Sequence, residues 1–168
     1  MAAAMDLRLR GDRAFELALG GLVAGFDNLE PLAERFGVYL ESSTIERFDN
    51  ETAPDGSRWQ QSIRAKEEGG QTLTDSSQLR SSIHAEPANG SVTWGSNKIY
   101  ARMMNDGGTI RAKGGGKLTF QLPGGLGFRS VDEVTIPARP FLGINAEDEA
   151  ELLTLAKEYA VEVSGGLA

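Results

Sequence analysis

Thr74-Asp75-Ser76-Ser77-Gln78-Leu79-Arg80-Ser81-Ser82-Ile83-His84-Ala85-Glu86-Pro87-Ala88-Asn89-Gly90-Ser91-Val92-Thr93-Trp94-Gly95 is the stretch on which the fold turns. Two arms of alternating side chains flank Asn89-Gly90, a pair that accepts the positive φ of a tight turn, so the stretch reads as a β-hairpin. Ile83 and Ala85 then oppose Val92 and Trp94, and Thr74-Asp75 caps a short helical turn over Ser76 to Ser81. Further on, Ile136-Pro137-Ala138-Arg139-Pro140-Phe141-Leu142-Gly143-Ile144-Asn145 is extended. Each proline pushes its predecessor out of the helical region and offers no amide to a central ladder.

Between these two units lie residues that build no core of their own. Gly107, Gly108, Gly114, Gly115, Gly116, Gly124, Gly125 and Gly127 fall in this one loop, out of 21 glycines in the chain. Two strand candidates, Lys117 to Leu122 and Ser130 to Ile136, pair across Pro123-Gly124-Gly125-Leu126-Gly127 as a protruding hairpin arm. Arg111, Lys113, Lys117 and Arg129 make the arm basic within an acidic chain, and Phe120 adds an aromatic group. That contrast points to contact with an acidic surface, on a neighbouring copy or on DNA.

Helices cover the sheet. One, over 28 to 48, is marked by Asn28 as cap, Pro31 in the first turn, and Leu32, Phe36, Tyr39, Leu40 and Phe48 on one face. Glu30, Glu34, Arg35, Glu41, Glu46 and Arg47 read as its solvated face. A second, over 147 to 163, carries Leu152, Leu153, Leu155, Ala156, Tyr159, Ala160 and Val163, with Asn145 as cap and acidic residues in its first turn. Lys98 to Gly108 holds a short helix ended by glycine, whose Met103 and Met104 fill gaps under the sheet. Residues 1–27 supply a short edge strand, Asp6 to Arg10, and a glycine-weakened helix started by Asp12. Pro54-Asp55-Gly56 is a turn. Trp59 follows and closes over the end of the core with its N–H on a polar partner. Residues 60 to 72 lack an apolar stripe and read as a mobile connection.

At 168 residues the chain makes one domain, 1–168. It has no cysteine and one histidine, His84, so thiolate and multi-histidine metal sites are excluded. A net charge of −7, from 24 acidic and 17 basic residues, disfavours a grip on phosphate backbones but permits DNA to slide past. No apolar run reaches the ~20 residues that cross a bilayer, so a soluble, cytoplasmically made chain is expected. Catalysis finds no partners: His84 sits in a strand without Ser-His-Asp or Cys-His neighbours, and Asp148-Glu149 and Glu67-Glu68 read as solvated. Gly114-Gly115-Gly116-Lys117 is followed by Leu118 and a strand, which is not a phosphate-binding loop. No cofactor is expected.

The ordered set Phe48, Pro54-Asp55-Gly56-x-x-Trp59, Leu73-Thr74-Asp75-Ser76-x-x-Leu79-x-x-Ser82-Ile83, Val92-Thr93-Trp94-Gly95-Ser96, Tyr100-Ala101, Asp106-Gly107-Gly108 and Ile136 to Gly143 resembles the Mu-like phage virion morphogenesis family, also called tail completion proteins. The likeness runs from Phe48 to Tyr159, with Met103 to Gly107 standing where members often carry a His-Gln-Phe-Gly-like segment. It implies a non-enzymatic virion subunit of the head-tail junction, a neck, tail-terminator or tail-completion protein. Copies of it would form a ring, sixfold as the first expectation and twelvefold as the second, around DNA that passes without sequence-specific binding. Neighbouring connector and tail-tube proteins complete the expected partners. The alternative is a nucleic-acid-binding protein that uses the basic loop 109–130.

The expected architecture is therefore α+β: a mostly antiparallel small β-sheet with a long protruding hairpin arm, glycine-rich over 107–135, covered by two main α-helices. Arg111, Lys113, Lys117, Phe120, Arg129, Arg139 and Phe141 are the expected oligomer contacts, and Trp59, Trp94, Tyr100, Gly107 and Gly108 the structural positions. For Arg139 and Phe141 a second reading stands beside the first, with Phe141 in the core and Arg139 in a local salt bridge.

Overall fold

The computed structural model describes residues 28–163 with the exception of residue 89. The strand and helix expected within 1–27, the tail 164–168 and Asn89 of the hairpin turn lie outside the described residues. In chain order the elements are α1 (Glu30–Asn50), α2 (Ile63–Glu68), a 3-10 turn (Arg80–Ser82), β1 (Ile83–Ala88), β2 (Ser91–Ser96), α3 (Ala101–Asp106), β3 (Gly108–Arg111), β4 (Leu118–Gln121), β5 (Phe128–Val131), β6 (Glu133–Ile136) and α4 (Ala146–Val163). This is the expected α+β class.

The hairpin forms as its pattern dictates. β1 and β2 pair antiparallel with Ala85 opposite Trp94, and Gly90 takes a φ of 76° in the two-residue turn. Ile83 faces Ser96, and Val92 faces Pro87, two residues from the expected opposition. Ile83, Ala85, Val92 and Trp94 nevertheless share the buried face. α1 lies across that face. Asn28 Oδ1 accepts the Glu30 N–H at 3.0 Å, Pro31 sits in the first turn, and the helix stops where Glu51 adopts a left-handed conformation. Gly37 permits the close approach, since a Cβ there would stand 3.0 Å from the Ala85 Cβ.

Around this pair the core collects Leu40, Phe48, Trp59, Leu79, Phe141, Leu142 and Leu152. Trp59 stacks edge-on against Phe48, with ring centroids 5.4 Å apart, and its Nε1–H donates to the Pro140 carbonyl at 2.8 Å. Trp94 is 1% exposed and donates to Thr44 Oγ1. α4 starts with a reciprocal cap: Asn145 Oδ1 accepts the Asp148 N–H at 2.8 Å while Asp148 Oδ2 accepts the Asn145 N–H at 2.9 Å.

Three expectations are corrected. The strands do not merge into one sheet; among the described residues they form separate two-stranded antiparallel ladders, β1-β2, β3-β6 and β4-β5. Residues 137–145 join none of them, because their prolines and their side chains turn the segment into core filling. The 60–72 connection contains the helix α2, which starts when Ser62 Oγ accepts the Ala65 N–H at 3.1 Å and which buries Ala65. Finally, the helical turn expected over 76 to 81 is a 3-10 turn at Arg80–Ser82.

Gly107 ends α3 with φ 71° and ψ −174°, a region that side chains avoid, and a Cβ there would stand 2.6 Å from the Ala138 nitrogen and 2.9 Å from the Ile136 oxygen. Gly107→Ala is therefore expected to cost about 2–4 kcal/mol in urea unfolding at unchanged m-value. Gly125 also has positive φ but meets nothing within 4 Å, so Gly125→Ala is expected to cost only about 1 kcal/mol.

Candidate assembly interface

The arm leaves the body at Gly107 as a ribbon in two stages. At its base β3 pairs with β6, Gly108 opposite Ile136 and Arg111 opposite Glu133. Further out β4 pairs with β5, Leu118 opposite Val131 and Gln121 opposite Phe128. Between the stages residues 112–117 on one side face Asp132 alone on the other, so the Gly114-Gly115-Gly116 run is an excursion from a continuous hairpin. Gly108 to Arg111, expected as loop, is thus a strand. The tip does not hang free: the Gly124 N–H donates to Glu68 Oε1 at 2.8 Å, and Gly124 is packed so closely on Glu67 that a Cβ would stand 2.6 Å from the Glu67 Cβ.

Alternation gives the ribbon two faces. At the base Ile110 and Val134 share one face, while Thr109, Thr135, Arg111 and Glu133 share the other. In the outer stage Leu118, Val131 and Phe120 lie with Arg129, and Phe128 lies opposite them with Thr119, Ser130 and Gln121. Phe128 is 76% exposed, Leu126 53% and Ile110 42%, so the subunit's own core leaves these groups uncovered. Phe120 is half-buried. Sequence reasoning missed Phe128, Leu126 and Ile110, although a Phe beside a glycine turn in a two-residue alternation was a visible signal.

Two of the five expected basic contacts are engaged inside the arm. Arg111 Nε lies 2.9 Å from Glu133 Oε2, and Lys117 Nζ lies 2.6 Å from Asp132 Oδ1. Lys113 and Arg129 have no acidic partner among the described residues. Arg139 and Phe141 are internal instead: Arg139 Nε donates to the Gln60 carbonyl at 2.7 Å, burial lowers its pKa, and Phe141 is 0% exposed with its ring 5.1 Å from Phe48. The core reading describes Phe141, while Arg139 is tied to a backbone carbonyl where a salt bridge was the alternative. Tyr100 is exposed, as is Ile99 at 82%, so its expected structural place is at the surface.

The face of α1 read as solvated holds a buried charge. Arg47 and Asp148 are 6% and 1% exposed and form an ion pair. Asp148 also accepts from Tyr39 and Ser43, and Arg47 donates to the carbonyls of Phe141 and Gly143 at 3.1 and 2.8 Å. Burial, reinforced by the Asp148 charge, pushes the Tyr39 phenol up to about 12, which keeps it a donor. The pair joins α1, α4 and the 141–143 segment into one body. Glu41 too is drawn inward, its carboxylate accepting the Ala85 N–H and lying 3.1 Å from His84 Nδ1.

His84, the one histidine, lies against Glu41, and among the described residues no serine or threonine hydroxyl is bonded to it. Among the described residues no group of three or more His, Cys, Asp or Glu is placed to hold a metal ion, and no helix is long and apolar enough to cross a membrane. The body is a small α+β unit fastened by an internal charge pair, with a ribbon beside it that leaves Phe128 and Leu126 exposed. The chain belongs to the phage virion morphogenesis family, whose model matches residues 11–160. Over 155 residues, 92% of this chain and 95% of the relative, it is 26% identical to the Mu-like prophage FluMu G protein 2 of Haemophilus influenzae. The match begins well before Phe48, where the sequence likeness was first traced. No solved structure matches. Family membership gives the chain a structural role in phage virion assembly.

Proposed function

We propose that the protein is a subunit of the head-tail junction, a neck, tail-terminator or tail-completion component whose copies close a ring around the DNA path. Sixfold symmetry matches a tail tube and is the first expectation; twelvefold matches a connector. In this role the subunit catalyses no reaction. Its ring presents one face to the connector and the other to the tail tube, through sheet edges and arms laid from copy to copy.

The observation that carries this reading is the arm, which holds Phe128, Leu126 and Ile110 in solvent on a ribbon outside the core. Leu126 and Phe128 stand together at the outer end of the arm and Ile110 at its base, large apolar groups that a partner would cover. The net charge of −7 suits a channel wall that repels phosphate. A DNA-gripping role is weakened, since Asp132 and Glu133 already occupy two of the arm's four cations.

Deleting residues 112–130 tests the reading. Arg111 and Glu133 remain opposite each other, and writing the remaining Val131-Asp132 pair as Asn-Gly supplies the two-residue turn, so the body should fold with its unfolding midpoint near that of the full chain. Complementation with this variant is expected to yield heads and tails that do not join. Joined particles with intact necks would overturn the proposal, and salt-sensitive DNA binding lost with the arm would favour the nucleic-acid alternative.

A further inference from the structure

On the outer side of α1, against α4, lies an open groove of about 670 Å³. Pro31, Val38, Tyr39 and Leu155 give it apolar walls, and Val38 is 70% exposed. Glu34 from α1 and Glu151 from α4 line it without a basic partner among the described residues, and the one cation of the lining, Arg35, is paired with Glu162. The arm of the same subunit is committed elsewhere: its tip is bonded to Glu68 of α2, and α2 contributes nothing to the groove.

We propose that this groove receives the outer arm of a second copy of the chain, with Phe128 against Val38 and Arg129 toward the Glu151 side. The charges match, because the arm carries the unpaired cations Lys113 and Arg129 while the groove carries unpaired carboxylates. The shape matches as well. Phe128 and Arg129 lie on opposite faces of β5, so a ribbon standing edge-on between two helices offers the ring to one wall and the guanidinium to the other. Donor and acceptor are different patches of one subunit, so the contact is head-to-tail and can repeat around a ring. The inference rests on the ring reading and assigns its acceptor surface.

Because the chain has no cysteine, introduced thiols report the contact cleanly. Val38 and Ser130, which shares the Phe128 face of the ribbon, are exposed, so Val38→Cys and Ser130→Cys leave the body intact and keep both Phe128 and a small apolar group at 38. Full-length single variants are mixed, oxidised in solution and in particles from complementation, and run without reductant. Disulfide-linked dimers are expected only in the mixture, and the chain carrying both cysteines is expected to give a ladder of multimers. Arg129→Glu should cut the yield roughly tenfold, and Glu151→Arg in the same chain should restore it. An intramolecular bond, a Val38→Cys homodimer, or assembled particles that contain the protein without the mixed bond would each overturn the inference. So would protection of Val38→Cys that vanishes when residues 1–27 are removed, since the occupant would then be the chain's own N-terminal segment. Particles lacking the protein altogether would instead remove the ring reading on which the inference depends.

Discussion

Asp148→Ala is expected to lower stability by about 3–5 kcal/mol and the melting temperature by roughly 10 °C or more. Most of that loss is the Arg47 guanidinium, 6% exposed, left as a buried charge without its counterion. The same change removes the acceptor of Tyr39 and Ser43 and half of the reciprocal cap at the start of α4. Asp148→Asn separates the contributions, because the amide oxygen can still accept from Asn145 while the charge is gone. Its expected cost is about 2–3 kcal/mol, with thermal unfolding as the measurement. Replacing both partners by Arg47→Met and Asp148→Leu should recover only part of the loss. A buried pair is often replaceable by apolar groups, yet here Arg47 also satisfies the carbonyls of Phe141 and Gly143, which the methionine would leave orphaned. A double variant as stable as the native chain would show that those two carbonyls find other partners.

Phe141→Ala is expected to cost about 3–5 kcal/mol, read from the urea midpoint. Phe141 has no exposed surface, and its ring is wedged against Phe48, which in turn holds Trp59 edge-on. Its backbone is equally engaged: Asn105 Oδ1 accepts from both Phe141 and Leu142 at 3.0 Å, and the Phe141 carbonyl accepts from Arg47. Truncation opens a cavity where the chain cannot collapse, because prolines 137 and 140 and these hydrogen bonds fix the segment. Phe128→Ala makes the contrast. That ring is 76% exposed, so its loss should change the isolated subunit by no more than about 0.5 kcal/mol while impairing assembly. The two phenylalanines thus separate folding from association, and a large stability loss on Phe128→Ala would place its ring in the subunit's own core.

Local signals were legible wherever one short segment contained its own reason for folding. The β1-β2 hairpin follows from two-residue alternation around Asn89-Gly90, and α4 from Asn145 followed by an acidic turn and a leucine stripe. α1 follows from Asn28, Pro31 and its apolar spacing. α2 escaped because six residues are too short to show a stripe; its signal was the Ser62 cap before the strong helix formers Ala65, Lys66, Glu67 and Glu68. The break into separate ladders escaped as well, since Gly114 to Gly116 fix no register by themselves.

The sequence by itself determined the class of fold, the main helices, the hairpin, the existence of a basic glycine-rich arm and the family. Tertiary structure alone decided that Arg47 and Asp148, 101 positions apart, meet inside the body, that Phe141 fills the core, and that Phe128 is left in solvent. The physical reason is range. Turn chemistry and side-chain period act between near neighbours, whereas the burial of a charge or a ring depends on which distant surface closes over it.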